Sequence, residues 1–235
     1  MMQQPLFKMQ LVDFEPDEPT AQLKKIGYDQ AKNKYAVKRI EDGNWIPLTE
    51  WLGYSLCQKL GIATPDYIIG YDESNTPVFC SKWVDGKIFT KQDGQSEKGQ
   101  QDILLEVLER YQEIFDIIQL DDIIDNPDRH AGNLIFLPNI PNVLAFDFSL
   151  AQITKHACNA VIDRAYKNHT DTMRKIILYY SSTDKLPLNK DKITNKFNKL
   201  TYDDFNEILT SIPEIWLQQA GIDCIIDYLQ SKQSD

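Results

Sequence analysis

The sequence predicts an α+β fold in two lobes, a small β-rich first part and a mainly helical second part. Three observations carry this. Before Asp85 the apolar residues come in short, partly alternating runs. After Gln101 they recur at three- and four-residue steps over long stretches. One apolar hairpin, Leu134 to Leu137 followed by Val143 to Phe146, interrupts the helical part. The boundary falls near Asp85 to Gly99, which gives an N-lobe over 1–85 and a C-lobe over 86–235.

The elements follow in order. Leu6 to Phe14 has period-2 character and reads as a strand, and Glu15 to Thr20, with its two prolines, reads as a loop. Gln22 to Tyr28 and Lys34 to Ile40 read as strands joined by the polar stretch Asp29 to Asn33. Pro47 stands where a first helical residue is favoured and Gly61 just past a helix end. Between them Leu48, Trp51, Leu52, Leu56 and Leu60 form an apolar face. Tyr67 to Tyr71 and Pro77 to Val84 read as strands around a turn at Asp72 to Thr76, and Gly86 to Gly99 as a polar connection. A helix is expected over Asp102 to Leu120, from the stripe Ile103, Val107, Leu108, Tyr111, Ile114, Phe115 and Ile118. Further helices are expected over Ala157 to Tyr180, Tyr202 to Ser211 and Glu214 to Gln230.

Composition excludes several classes. The chain of 235 residues has a net charge of −10, which argues against a nucleic-acid coat or an anionic-membrane surface while leaving room for a local basic pocket. No apolar run approaches the ~20 residues of a membrane span. Met1 to Gln10 lacks the basic-then-apolar order of a signal peptide. Cys57, Cys80, Cys158 and Cys224 are widely spaced and read as buried thiols of a reducing cytosol, so a cytoplasmic location is expected. His130, His156 and His169 have no zinc-site spacing with them.

The most informative stretch is Asp121 to Ser149, DDIIDNPDRHAGNLIFLPNIPNVLAFDFS. It presents Asp128, His130 and Asn133 on a loop and Asp147 at the end of the hairpin. An Asn and an Asp together are oxygen ligands that suit a hard cation such as Mg²⁺. A separate Asp can orient an alcohol and accept its proton during phosphoryl transfer. His130 reads as a hydrogen-bonding brace of the loop, and Asp121 and Asp122 as solvated helix-end carboxylates. Arg129 either meets a substrate phosphate or pairs with an acidic neighbour. Phe79 and Trp83 read as core or as the wall of a nucleotide cleft.

D-R-H-x-x-N at Asp128 to Asn133, followed after a hairpin by D-F-S at Asp147 to Ser149, resembles the kinase superfamily and most of all the HipA-like serine/threonine kinases. Phosphatidylinositol kinases share a similar D-R-H-x-x-N pattern. Upstream, Lys38 lies in A-V-K on the third expected strand, and Glu50 lies in the first turn of the following helix. No G-x-G-x-x-G precedes Lys38, and the loop Glu15 to Thr20 contains no glycine.

The resemblance implies a protein-kinase-like two-lobe fold using ATP and Mg²⁺. It implies that Lys38 contacts the α- and β-phosphates, held by an ion pair with Glu50, and that Asp128 is the catalytic base. Asn133 and Asp147 would bind Mg²⁺, and the backbone of Lys82, Trp83 and Val84 would meet the adenine edge. It implies a protein substrate, with a translation component such as an aminoacyl-tRNA synthetase as a candidate, a toxin role in growth arrest, and an antitoxin partner. Self-phosphorylation of a hydroxyl in the phosphate loop would fall on Thr20, whose alternative reading is a β-branched residue that starts the second strand. The alternatives are a lipid or small-molecule kinase and a non-catalytic pseudokinase. Neither a membrane nor a nucleic acid is an expected partner.

Overall fold

The computed structural model describes residues 8–13, 25–43, 45–88, 107–108, 110–137, 139, 142–157, 168–182, 188–217 and 221–233. The expected loop Glu15 to Thr20, most of Gly86 to Gly99, the first turns from Asp102, and Cys158 lie outside these residues.

The N-terminal sheet is antiparallel, in the order β1-β2-β3-β5-β4. Its strands are β1 (Gln10–Asp13), β2 (Lys25–Tyr28), β3 (Lys34–Lys38), β4 (Tyr67–Tyr71) and β5 (Pro77–Lys82). The Met9 N–H donates to Tyr71 O at 2.8 Å, so the chain ahead of β1 touches the opposite edge and the sheet curls on itself. Met9, Tyr35, Val37, Val78 and Cys80 fill the inside of the curl. Gly70 is needed there, since a Cβ would stand 2.8 Å from both Cys80 Sγ and Met9 Cγ.

Helix α1 (Ile46–Leu60) starts with Pro47 in its first turn and stops at Gly61, whose φ of 73° is left-handed. Leu48, Leu52, Leu56 and Leu60 are buried as their spacing predicts. Thr49, Glu50, Tyr54, Ser55 and Cys57 are buried too, because α1 is covered on more than one face. Tyr54 packs on Phe79 of β5, ring centroids 5.1 Å apart. On another side Trp51 Nε1 donates to Ile208 O at 3.2 Å and Lys196 Nζ to Leu60 O at 2.6 Å. One apolar core therefore runs from Leu48 and Phe79 through Ile117 and Phe148 to Trp216 and Ile226.

The second part holds the hairpin β6 (Leu134–Leu137) and β7 (Asn142–Ala145) among helices α2 (Glu113–Ile123), α3 (Ile153–Ala157) and α4 (His169–Ser182). Then come α5 (Lys192–Phe197), α6 (Tyr202–Thr210), α7 (Glu214–Leu217) and α8 (Ile222–Ser231). The linker after β5 is tied to the hairpin, because Lys87 and Phe136 exchange N–H···O bonds of 2.9 Å.

Several expectations are corrected. The long helix predicted to end at Leu120 breaks at Tyr111–Gln112 and runs on to Ile123. At the break Tyr111 packs edge-on against Phe136, so contact with the hairpin decides the path there. Of the helix expected over Ala157 to Tyr180, residues 158–167 lie outside the described ones and α4 starts at His169 after a non-helical Asn168, while Glu214 to Gln230 divides into α7 and α8. Gly221, extended at φ −65° and ψ 144°, begins α8. α5 was not predicted; Ile193 and Phe197 alone, four apart, are too few to mark a stripe. β5 ends at Lys82, before Val84. Cys57 and Cys80 are buried as expected, but Cys224 is exposed on the solvent side of α8.

Candidate active site

Lys38, Glu50 and Asp147 come from three separate elements and meet in one cluster. Lys38 ends β3, a strand whose residues 35, 37 and 38 are buried. Its Nζ lies 3.5 Å from Asp147 Oδ1 and 3.8 Å from Glu50 Oε1. The Phe148 N–H donates to Glu50 Oε2 at 3.1 Å. Asp147 follows β7 at a φ of 59°, a left-handed conformation that an Asp side chain tolerates better than most. Strain of this kind persists where the surroundings over-determine it.

Ser149 stands at the middle of the cluster. Its Oγ accepts from Lys38 Nζ at 3.1 Å and lies 2.6 Å from Glu50 Oε1 and 2.7 Å from Asp147 Oδ1, donating to either. One hydroxyl proton serves one acceptor at a time. Burial lifts Glu50 to about 7, with Lys38 opposing and Asp147 adding to the rise. Burial also raises Asp147, but Lys38 and the hydrogen bonds from Ser149 and Glu50 outweigh it and hold that carboxyl below its ordinary value. Burial works against the Lys38 ammonium, and Asp147 and Glu50 more than restore it.

Beneath this cluster Arg129 is fully buried, and the open alternative for it is resolved. It pairs with Asp121 of α2 in a fork, Nε to Oδ2 at 2.8 Å and Nη2 to Oδ1 at 3.1 Å. Its Nη1 donates to Asn133 O at 2.7 Å and to Phe146 O at 2.5 Å, joining the loop to the end of the hairpin. Its backbone N–H donates to Thr170 Oγ1 at 2.9 Å, which in turn donates to Asn126 O at 2.6 Å. Asp121 is thus a buried partner and not a solvated helix end. Asp122 pairs with Arg174 at 2.9 Å. An acid and an arginine eight residues apart carry no sequence signal that separates such a pair from two solvated side chains.

Asp128 and Asn133 flank Arg129 on the same loop. Asn133 Nδ2 donates to Asp128 O at 2.8 Å, which leaves the amide oxygen as the atom Asn133 can offer a cation. His130 braces the loop as expected, its Nδ1 accepting from the Gly132 N–H at 3.0 Å. Its Nε2 lies 4.0 Å from Asp128 Oδ1, and its ring meets His169 edge-on. Burial chiefly, with His169 and Arg129 nearby, keeps this imidazole below its ordinary pKa although Asp128 pulls the other way. Among the described residues no three His, Cys, Asp or Glu side chains group as a metal site. An Asn with an Asp is nonetheless the kind of sparse oxygen set that suits Mg²⁺ when phosphates complete the shell.

Lys82 at the end of β5 and Trp83 and Val84 after it are half-buried. Lys82 N–H donates to Asp66 O at 2.7 Å and Trp83 N–H to Lys34 O at 2.8 Å. Lys34 Nζ sits 3.6 Å over the Trp83 ring. Phe79, by contrast, is core at 1% exposure. Ser149 is the residue that sequence reasoning passed over: it enters the sequence only as the last letter of D-F-S, with no role of its own.

Comparison with known proteins is informative at the level of fold. No family model and no curated protein matches the chain. The crystal structure of the Helicobacter pylori proinflammatory kinase CtkA matches over 98% of this chain and 93% of its own, with a TM-score of 0.51 and 14% identity. HipA of Shewanella oneidensis MR-1, solved with HipB and operator DNA, matches over 88% of this chain with a TM-score of 0.50 and 10% identity; the match spans 57% of that structure's chain. The chain has the α+β two-lobe kinase fold that these proteins share. Among the described residues no helix is long and apolar enough to cross a membrane.

Proposed function

We propose that this chain is an ATP- and Mg²⁺-dependent serine/threonine protein kinase of the HipA-like type, acting in the cytoplasm, with lobes 1–85 and 86–235. The observation that carries the reading is the convergence of Lys38, Glu50 and Asp147 within 4 Å, with Asp128 and Asn133 on the adjoining loop. Lys38 would bind the α- and β-phosphates, with Glu50 as its partner. Asn133 and Asp147 would hold Mg²⁺, which supplies charge neutralisation for the phosphates when bound. Asp128 would orient the acceptor hydroxyl and take its proton.

The adenine edge would lie along Lys82 to Val84. Two of those backbone N–H groups are already spent on Asp66 and Lys34, so Val84 and the carbonyls would supply the contacts. The buried, unpaired thiols of Cys57 and Cys80 support a reducing compartment. A growth-arresting toxin role, a substrate in translation and an antitoxin partner rest on likeness to HipA, whose structure holds HipB.

Calorimetry with ATP–Mg²⁺ tests the site. Asp147→Asn should lose binding, while Asp128→Asn should bind and fail to transfer. A phosphoproteome of cells expressing wild type against Asp128→Asn then identifies the substrate. Wild-type protein that neither binds ATP–Mg²⁺ nor consumes ATP would overturn the reading, and phosphate appearing on lipid vesicles instead of protein would move it to the lipid kinases.

A further inference from the structure

We propose that Ser149 is a positioning residue: its hydroxyl seats the Lys38 ammonium between Glu50 and Asp147. The proposal rests on the phosphotransfer reading above and adds to it a residue outside the set of phosphate, metal and acceptor groups.

Distances make the case. The carboxylate oxygens nearest Lys38 Nζ lie at 3.5 and 3.8 Å, beyond the 2.7–2.9 Å of a charge-assisted hydrogen bond. Ser149 Oγ, at 3.1 Å, is nearer than either. The same oxygen is within 2.7 Å of both carboxyls, so one atom closes the gap between the cation and its two counter-charges. The cluster is closed to solvent on the Lys38, Glu50 and Ser149 side, where exposures are 6%, 1% and 8%. In so dry a place a small hydroxyl is worth more than it would be in water.

The hydroxyl is also held from behind. The preceding Phe148 is fully buried, with Arg129 Cζ 4.8 Å above its ring and Tyr54 edge-on at 5.5 Å. Its N–H is on Glu50, so the backbone that carries Ser149 cannot swing away without breaking that bond. A glycine at position 149 would keep the turn and lose the bridge. Removing the hydroxyl leaves Lys38 with long contacts only and takes away the one atom in short contact with the ammonium and with both carboxyls.

The test uses three variants and two readouts on the full chain. Threonine and valine differ at position 149 only in the hydroxyl, so Ser149→Thr and Ser149→Val separate the bridge from its bulk; Ser149→Ala adds the truncation. In nucleotide-free protein, the ¹⁵Nζ–¹H resonance of Lys38 should be observable in wild type and Ser149→Thr, and broadened by exchange in Ser149→Val and Ser149→Ala. By calorimetry, the hydroxyl-free variants should bind ATP–Mg²⁺ about tenfold or more weakly, the size of one lost hydrogen bond to a charged group, with Ser149→Thr within about threefold of wild type. Equal Lys38 signals and equal affinities for Ser149→Thr and Ser149→Val would overturn the proposal. Failure of wild type to bind ATP–Mg²⁺ would instead overturn the kinase reading, and the Lys38 resonance would still report on the seat.

Discussion

Phe148 rests on Gly53 with no room for a side chain between them: a Cβ on that turn of α1 would overlap the ring at Cγ and Cδ2. Through this contact α1 sets the height of the chain at Asp147 and Ser149, one residue either side of the ring.

Gly53→Ala should therefore cost more than its gain in helix propensity. Overpacking of a closed core costs about 1–3 kcal/mol, against about 1 kcal/mol that alanine gains over glycine in a helix. The denaturation midpoint should fall, and ATP–Mg²⁺ affinity with it, because the ring cannot move without moving Asp147. A variant as stable as wild type, with unchanged affinity, would show that the ring relocates freely.

The two ends of the Lys38–Glu50 pair should respond unequally. Lys38→Met leaves Glu50 and Asp147 facing each other without a cation, whereas Glu50→Gln leaves Lys38 with Asp147 at 3.5 Å. Breaking a buried pair costs about 3–5 kcal/mol when the remaining charge has no partner. Urea denaturation should rank Lys38→Met well below Glu50→Gln in stability, while both variants lose phosphorylation. The reverse ranking would mean that Asp147 does not serve as the second counter-charge.

Removing Arg129 should unfold or badly destabilise the chain. Arg129→Met strands the Asp121 carboxylate in the core, again a loss of about 3–5 kcal/mol. Changing Asp121→Leu as well should restore part of that loss, since the orphaned charge goes too. Arg129→Lys should not rescue, because one ammonium cannot fork onto Asp121 and also reach Asn133 O and Phe146 O. Urea midpoints of the two single variants and the double variant check all three statements.

Stability should carry a pH signature from Glu50. Its carboxyl is raised from 4.5 to about 7 by burial, with Lys38 opposing. Between those values the folded chain keeps a proton that the unfolded chain has released, so Glu50's contribution falls as pH rises across that window. Glu50→Gln cannot titrate. The wild-type melting temperature minus that of Glu50→Gln should therefore decline from pH 4.5 to about 7 and level off above it. A difference that stays constant over this range would place the buried proton elsewhere.

Local rules made much of this molecule legible. Pro47 and Gly61 bound α1 correctly, and its leucines at four-residue steps point inward. The polar stretch after Asp29 and the turn after Asp72 join strands as their side chains require, the Asp72 carboxylate accepting from the Ser74 and Thr76 N–H groups. Lys38, Glu50, Asp128, Asn133 and Asp147 could be picked out because each lies at a fixed offset within a short motif or beside a recognisable element.

Tertiary structure decided what depends on distant partners. Whether Arg129 faced a ligand or an acid turned on α2 carrying Asp121 into the core beside it, eight residues away in sequence. The break at Tyr111 and the division of Glu214 to Gln230 came from packing and from Gly221, which override a continuous apolar stripe. Ser149 could be read as a small residue after Asp-Phe, but its contacts reach back 99 residues to Glu50 and 111 residues to Lys38. Periodicity and capping are properties of neighbours within a turn or two of chain, so they mark most strands, the ends of α1 and the identity of the charged groups, and they miss breaks that distant packing imposes. Where those charges meet, and which of them keeps a proton, depends on burial and on distances between separate elements, which exist only once the core has closed.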